Sequence, residues 1–127
     1  MQNKTILVVE DNELNMKLVK GLLTMGKYGI IEAVDAETGI QLARQHLPDL
    51  ILMDIQLPRM DGLKATQLIR KDPVLKDVPV VALTSYAMQG DEDKAKDSGC
   101  SGYISKPIDT RSFLETIAQH LQHHGNE

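Results

Sequence analysis

Short apolar runs recur along the chain and alternate with segments that have the periodicity of helices. The apolar runs cover residues 6–9, 30–34, 50–53, 78–83 and 102–104. Apolar runs of this length without regular polar alternation are typical of strands buried on both faces, as in a parallel sheet. The pattern therefore predicts five short strands.

Helical spacing of apolar residues fills the segments between these runs. It predicts helices over residues 14–23, 36–47, 62–70 and 113–121, and a strongly charged segment that ends at Gly99, with Ala95 as its single apolar residue, gives another over 90–98. In the first, leucines at 14, 18 and 22 follow a four-residue spacing. We expect Gly26 to end that helix, Asp35 to cap the second, and Asp109 or Thr110 to cap the last. Strands that alternate with helices predict a doubly wound α/β domain, with a parallel sheet covered by helices on both faces.

Length and composition describe one ordinary globular domain. The chain has 127 residues, a formal net charge of −4 and a single cysteine, Cys100. We expect one domain over residues 1–127 with a core over about 4–121. The acidic balance argues against nucleic-acid or membrane-surface binding as the main function. We expect Cys100 to be a small buried residue, and a lone thiol suits a reducing cytoplasm. No segment has the length or character of a signal peptide or a membrane span.

Polar residues follow four of the five predicted strands. Glu10 and Asp11 come after the first, Asp54 after the third, Thr84 after the fourth and Lys106 after the fifth. The carboxyl ends of parallel strands share one edge of a sheet, where ligands bind in open α/β folds. We therefore expect two or three carboxylates, a hydroxyl and an ammonium group in one pocket.

Clustered carboxylates repel one another unless a cation offsets their charge. Mg²⁺ suits such oxygen ligands. With the cation present, Asp54 can act as a nucleophile toward a phosphoryl group, while Thr84 and Lys106 contact the phosphoryl oxygens. An alternative remains for the first pair, since Glu10 and Asp11 are also compatible with a solvated strand end at which Asp11 or Asn12 caps the first helix.

These segments resemble the receiver domain of bacterial response regulators. The motifs are Ile-Leu-Val-Val-Glu-Asp-Asn at 6–12, Leu-Met-Asp-Ile-Gln-Leu-Pro-Arg-Met-Asp-Gly at 52–62, Ala-Leu-Thr-Ser at 82–85 and Gly-Tyr-Ile-Ser-Lys-Pro at 102–107. The resemblance implies the strand order 2-1-3-4-5. Within the family, the sequence at residues 10–18 and 53–58 is most similar to that of single-domain regulators of the DivK type.

The resemblance also implies a role for each matching residue. Asp54 is the phosphoacceptor, and Thr84 and Lys106 bind the phosphoryl group. Mg²⁺, with Mn²⁺ as an alternative, is held by Glu10, Asp11, Asp54 and the backbone carbonyl of Gln56. Thr84 and Tyr103 form the switch, and a cis peptide bond precedes Pro107.

The implied function is signal transduction by protein contacts. The expected partners are a histidine kinase or histidine phosphotransferase, docked on the first helix, and a downstream protein target. The output surface is expected on the predicted fourth helix, the fifth strand and the last helix. We expect no DNA partner, no membrane insertion, a monomer or weak dimer, a cytoplasmic location, and no enzymatic activity beyond the gain and loss of the chain's own phosphoryl group. The alternative is the receiver domain of a hybrid histidine kinase acting as a phosphorelay intermediate.

Three other classes fit the residues less well. A phosphohydrolase of the haloacid dehalogenase type would need a second aspartate at the position of Gln56. A flavodoxin-like carrier would need a phosphate-binding loop after the first strand, where Glu10 and Asp11 would repel the phosphate. A receiver that works without phosphorylation is disfavoured because no site position is lost.

Overall fold

The computed structural model describes residues 4–57, 60–84, 93, 96–106 and 108–125, with side chains through Leu121. Its elements in chain order are β1 (Thr5–Val9), α1 (Glu13–Met25), β2 (Gly29–Ala33), α2 (Ala36–His46), β3 (Leu50–Asp54), α3 (Gly62–Lys71), β4 (Val80–Thr84), β5 (Gly102–Ser105) and α4 (Phe113–Gly125). All five predicted strands are present, and each boundary lies within two residues of its prediction.

The five strands form one parallel sheet in the order β2-β1-β3-β4-β5, which confirms the predicted topology. The central strand β3 pairs with β1 from Leu50 and with β4 through Asp54. Every residue of β3 and β4 is buried, as the apolar runs predict for strands covered on both faces. Since all strands point the same way, their carboxyl ends lie along one edge of the sheet.

Two apolar cores fill the spaces above and below the sheet. The first lies under α2 and α3, and the second lies under α1 and α4. Neighbouring residues of one strand alternate between them: Leu7 belongs to the first core, whereas Ile6 and Val8 belong to the second. The helices are therefore distributed over both faces, as predicted.

Helix α1 is present as predicted, but it buries a different face. Asn12 caps it by accepting a hydrogen bond from Asn15 N, and Gly26 ends it. The buried residues of this helix are Met16, Val19, Leu22 and Leu23. Leu14 is 77% exposed and Leu18 is 38% exposed, so two of the three leucines in the predicted apolar row face solvent.

The predicted cap of α2 and the predicted range of α3 are largely correct. Asp35 caps α2 through a hydrogen bond from Thr38 N, and α3 ends before Asp72. Leu47, which we expected inside the second helix, instead forms its left-handed C-cap and is exposed.

The last two predicted helices differ in how far they can be compared with the structure. The one over residues 90–98 lies mostly outside the described residues, and its described positions 93, 96 and 97 are helical. Helix α4 follows a turn in which Asp109 accepts a hydrogen bond from Arg111 N. It buries Phe113 and Ile117, whereas Ala118 is exposed. None of the described helices is long and apolar enough to cross a membrane.

Candidate functional site

The sheet brings the predicted site residues to one edge. Glu10 directly follows β1, Asp54 and Thr84 are the last residues of β3 and β4, and Lys106 directly follows β5. Backbone hydrogen bonds continue the ladder past the strands, from Ile55 N to the carbonyl of Leu83 and from Lys106 N to the carbonyl of Thr84. These bonds fix the relative positions of neighbouring strand ends.

Three carboxylates lie close enough together to hold one metal ion. One oxygen from each of Glu10, Asp11 and Asp54 lies within 4.8 Å of the others. Glu10 and Asp54 are buried, while Asp11 is exposed and opens the cluster to solvent. The alternative of a solvated strand end is wrong for Glu10, which has no solvent exposure, and the cap of α1 is Asn12 rather than Asp11.

Lys106 is the cation that faces this cluster. Its Nζ lies 2.9 Å from Glu10 Oε1 and 3.2 Å from Asp54 Oδ2, and its side chain is largely buried. Nζ donates a hydrogen bond to Asp54 Oδ2. Toward Glu10 the contact is an ion pair only, and among the described residues Glu10 Oε1 has no hydrogen-bond partner.

The two oxygens of Asp54 have different partners. Oδ1 accepts a hydrogen bond from Gln56 N at 2.9 Å, and Oδ2 faces Lys106. Gln56 was predicted as a ligand through its carbonyl, and that role stays a prediction.

Gly62 packs closely against the backbone of Asp54, and the predictions from sequence did not include it among the site residues. Its N–H donates to the carbonyl of Ile55, and a Cβ at this position would collide with the carbonyl oxygen of Asp54. Only glycine therefore lets α3 start so close to the end of β3. The signal in the sequence is the Asp-Gly pair at 61–62, where Asp61 is the N-cap of α3.

The electrostatics of the cluster follow from its burial. Burial raises the pKa of Glu10 to about 7, and the nearby carboxyl of Asp54 contributes to the rise, against the lowering effect of Lys106. For Lys106, burial alone would lower the pKa, but the carboxylates of Glu10 and Asp54 outweigh it and the pKa is raised. Lys106 therefore remains charged at neutral pH.

The two predicted switch residues lie on adjacent strands, and Tyr103 pairs in register with Ala82, two residues before Thr84. Thr84 is buried at the end of β4. Tyr103 is half-buried on β5 and packs against the core under α2 and α3, which also contains Met53 and Ala82. Pro107 and its predicted cis bond lie outside the described residues.

A divalent cation fits the residues that are present. Three carboxylates offer oxygen ligands at the ends of two adjacent strands, and within the described part of the chain the buried oxygen Glu10 Oε1 is held by its ion pair with Lys106 and by no hydrogen bond. Hard cations such as Mg²⁺ take one or two carboxylates together with water, which the exposed Asp11 side of the cluster can admit.

Comparison of the sequence with known families agrees with this geometry. The model of the response regulator receiver domain matches residues 6–118. The polar-differentiation response regulator DivK of Brucella anthropi is 48% identical over 118 residues, which cover 93% of this chain and 96% of that protein.

Comparison of the fold gives receiver domains as well. The receiver domain of the sensor histidine kinase PA1611 from Pseudomonas aeruginosa, solved with a magnesium ion in its active-site cleft, superposes with a TM-score of 0.88 at 30% identity over 95% of this chain and 99% of that one. The chemotaxis response regulator CheY4 of Vibrio cholerae has a TM-score of 0.88 at 23% identity, over 93% of this chain and 98% of that one.

Proposed function

Because the chain belongs to the family of response regulator receiver domains, we propose that it accepts a phosphoryl group on Asp54 in a Mg²⁺-dependent reaction and thereby controls protein partners. The observation that carries the proposal is that one oxygen from each of Glu10, Asp11 and Asp54 lies within 4.8 Å of the others, while Lys106 contacts both buried carboxylates. One lysine cannot balance three carboxylates, so the cluster suits a bound cation.

In this proposal Oδ2 of Asp54 is the oxygen that attacks phosphorus, because it faces the Lys106 ammonium, whereas Oδ1 accepts a hydrogen bond from the backbone N–H of Gln56. The new bond joins Oδ2 to phosphorus, and the bond between phosphorus and the donor's histidine nitrogen breaks, leaving its electron pair on that nitrogen. Lys106, which already contacts Oδ2, then binds a phosphoryl oxygen, and the Thr84 hydroxyl donates a hydrogen bond to another.

Glu10, Asp11 and Asp54 are the side chains that would hold the cation, together with the predicted carbonyl of Gln56. A bound Mg²⁺ supplies positive charge that offsets the repulsion between the carboxylates and the incoming phosphoryl oxygens. In this proposal the chain catalyses nothing beyond the gain and loss of its own phosphoryl group. It acts in the cytoplasm.

The proposed switch uses Thr84 and Tyr103. Movement of the Thr84 hydroxyl toward the phosphoryl group changes the space beside Tyr103, whose ring shifts between two positions. Such a change biases an equilibrium between two states and alters the partner surface around β5 and α4.

The exposed leucines of α1 provide a docking surface for the phosphodonor. Leu14 and Leu18 lie one turn apart on α1, which begins next to Glu10 and Asp11. Exposed apolar residues on a helix beside a buried site suit a helical partner that carries the phosphohistidine. Leu14→Ser should slow transfer from a phosphohistidine protein while leaving phosphorylation by acetyl phosphate unchanged, whereas Leu68→Ser on α3 should change neither.

The alternative role as a phosphorelay intermediate is favoured by the likeness to the receiver domain of a sensor histidine kinase. It predicts that the phosphorylated chain returns its phosphoryl group to a histidine phosphotransferase. A regulator with a downstream protein target would instead retain the phosphoryl group until hydrolysis.

The direct test is the intact mass of the chain after incubation with Mg²⁺ and acetyl phosphate. One phosphoryl adduct is expected, absent in Asp54→Asn and absent when Mg²⁺ is removed. Asp61→Asn, which alters another carboxylate close to the site, is the matched control and should still form the adduct. An adduct that persists in Asp54→Asn would assign the acceptor to another residue, and the proposal would be wrong.

A further inference from the structure

Arg70, on the last turn of α3, ties together the entries of two strands. Its Nε donates to the carbonyl of Gly99 at 2.7 Å. Its Nη1 donates to the carbonyls of Val78 at 2.7 Å and of Lys76 at 3.1 Å. One half-buried guanidinium group thus joins the segment before β4 to the segment before β5.

Packing reinforces this contact. Gly99 has a φ of +102°, and a Cβ there would lie 2.6 Å from Cγ of Arg70, so the backbone rests directly on the arginine stem. One turn earlier on α3, Oγ1 of the buried Thr66 accepts a hydrogen bond from Cys100 Sγ, and the two atoms are 3.8 Å apart. The segment that leads into β5 is therefore held by one face of α3.

Strand β5 needs such an anchor because its own sequence specifies its register weakly. It is an edge strand of four residues, and among the described strands it pairs with β4 alone. Tyr103 packs toward one core and Ile104 toward the other, and both are half-buried apolar residues. A slip by one residue would exchange two apolar side chains between apolar faces, so the hydrophobic pattern gives little protection against it.

The far end of β5 carries the site. Ser101 N donates to the carbonyl of Val80 at the entry of the strand pair, and Lys106 N donates to the carbonyl of Thr84 at its exit. The stagger of β5 against β4 therefore decides where Lys106 lies relative to Asp54. Five residues separate the two points, about 16 Å at about 3.3 Å per residue.

We propose that Arg70 is a positioning residue for phosphoryl transfer, in that its three carbonyl contacts set the stagger of β5 on β4 and so hold Lys106 against Glu10 and Asp54. The inference rests on the proposed function, because it assigns Arg70 a role only through Lys106. Arg70 itself touches neither the phosphoryl group nor the metal ligands.

The test is a double-mutant cycle on the rate of phosphorylation by acetyl phosphate, measured by intact mass. Arg70→Met keeps the unbranched stem under Gly99 and removes all three donors. It should slow adduct formation by about 10- to 100-fold, the range expected when a group at a reacting centre is misplaced by about 1 Å. In the Lys106→Met background, Arg70→Met should cause no further loss, because its effect passes through Lys106.

Controls separate positioning from folding. Arg70→Met should still bind Mg²⁺, at least as tightly as wild type, since the carboxylate ligands lie at the ends of β1 and β3 and a displaced Lys106 no longer shares the cluster with the ion. Arg70→Lys, which retains a cation with fewer donors, serves if the methionine variant is too unstable, and Lys71→Met at the exposed neighbouring position should behave as wild type.

Two results would overturn the inference: an equal loss of rate from Arg70→Met in both backgrounds, or no loss of rate in either Arg70 variant. Absence of any adduct on the wild-type chain is a different result, since it would overturn the proposed function and the role of Arg70 together.

Discussion

Lys27 has a backbone conformation that residues other than glycine rarely adopt. Its φ is 66°, in the left-handed region, whereas Gly26 before it has a φ of −81°. Gly26 is needed for a different reason, because a Cβ there would lie 2.8 Å from Cδ2 of Leu114 and 2.9 Å from the ring of Tyr28. The glycine thus allows α1 to approach α4, and the strained position falls on the lysine.

Lys27→Gly should therefore stabilise the protein. The left-handed conformation costs a residue with a Cβ about 1–2 kcal/mol, and the extra freedom of glycine in the unfolded chain offsets about half of it, so we expect a net gain of about 0.5–1 kcal/mol. Urea unfolding measures the difference.

Lys17→Gly is the matched control for that substitution. Position 17 is exposed inside α1. There the same change should cost about 1 kcal/mol. Equal destabilisation by both substitutions would contradict a left-handed Lys27.

Individual site residues were predictable where topology alone determines their position. Asp54 and Thr84 end buried strands, so the parallel sheet places them together whatever the loops do. The left-handed Lys27 was not predictable, because a glycine stands beside it and carries the usual signal for that conformation. His120 was not predictable either: it lies in the last helix near the C-terminus, yet it is half-buried against Gly102, whose missing side chain makes room for its ring.

At the scale of elements, Asp72 joins α2 to the end of α3. Its Oδ1 accepts a hydrogen bond from Val74 N at 2.8 Å, and its Oδ2 pairs with Nε of Arg44 on α2. The hydrogen bond from Val74 N, together with Arg44, holds the pKa of Asp72 below its ordinary value of 3.8. The ion pair with Arg44 needs the ionised carboxylate, and the hydrogen bond from Val74 N is stronger to the ionised group than to a neutral carboxyl.

This contact should make stability depend on pH in the acid range. Because the pKa of Asp72 is lower in the folded protein, the stabilisation is complete above pH 3.8 and is lost as pH falls through the folded value. Asp72→Asn should be less stable than wild type near neutral pH, and the gap should narrow below pH 3.8. Urea unfolding at several pH values measures it.

Asp77→Asn provides the comparison, since Asp77 is an exposed residue of the same loop. The free energy of unfolding of Asp77→Asn should stay close to that of wild type at every pH. If the stability difference between Asp72→Asn and wild type does not shrink in acid, the charge of the carboxylate contributes nothing to the contact between α2 and α3.

The identity of the elements followed from periodicity, but the buried face of α1 did not. Leucines spaced by four residues suggest a core row, and the same row can serve a partner instead. The residues that α1 actually buries, among them Met16 and Val19, form an equally good helical row. Only the position of the sheet decides between them, and that position is a property of the tertiary structure.

At the scale of the whole molecule, the fold concentrates charge where it is least easily tolerated. Glu10 and Asp54 are far apart in sequence, and the order of β1, β3 and β4 brings them to one buried edge. The apolar burial of the sheet supplies the free energy that holds them there. A ligand that neutralises the cluster should therefore stabilise the entire domain, because it binds the folded chain and not the unfolded one.

Mg²⁺ should accordingly raise the free energy of unfolding. At a free concentration about 100 times the dissociation constant, the expected gain is about 2.7 kcal/mol. Asp11→Asn removes the exposed ligand and should abolish most of the gain, whereas Asp77→Asn, at an exposed carboxylate in the loop before β4, should retain it. Thermal and urea unfolding with and without Mg²⁺, at constant ionic strength, measure the effect.

Lys106→Met sharpens the same prediction. Without Lys106, the buried charges of Glu10 and Asp54 lose the cation that contacts both of them, so the metal-free variant should be less stable than wild type. The gain from Mg²⁺ should then be larger than in wild type, because the ion relieves a repulsion that Lys106 otherwise reduces. Lys106 contacts two of the proposed metal ligands, so its loss should change the effect of the ion. An equal gain from Mg²⁺ in the two proteins would contradict this, because it would mean that Lys106 and the cation act on the cluster independently.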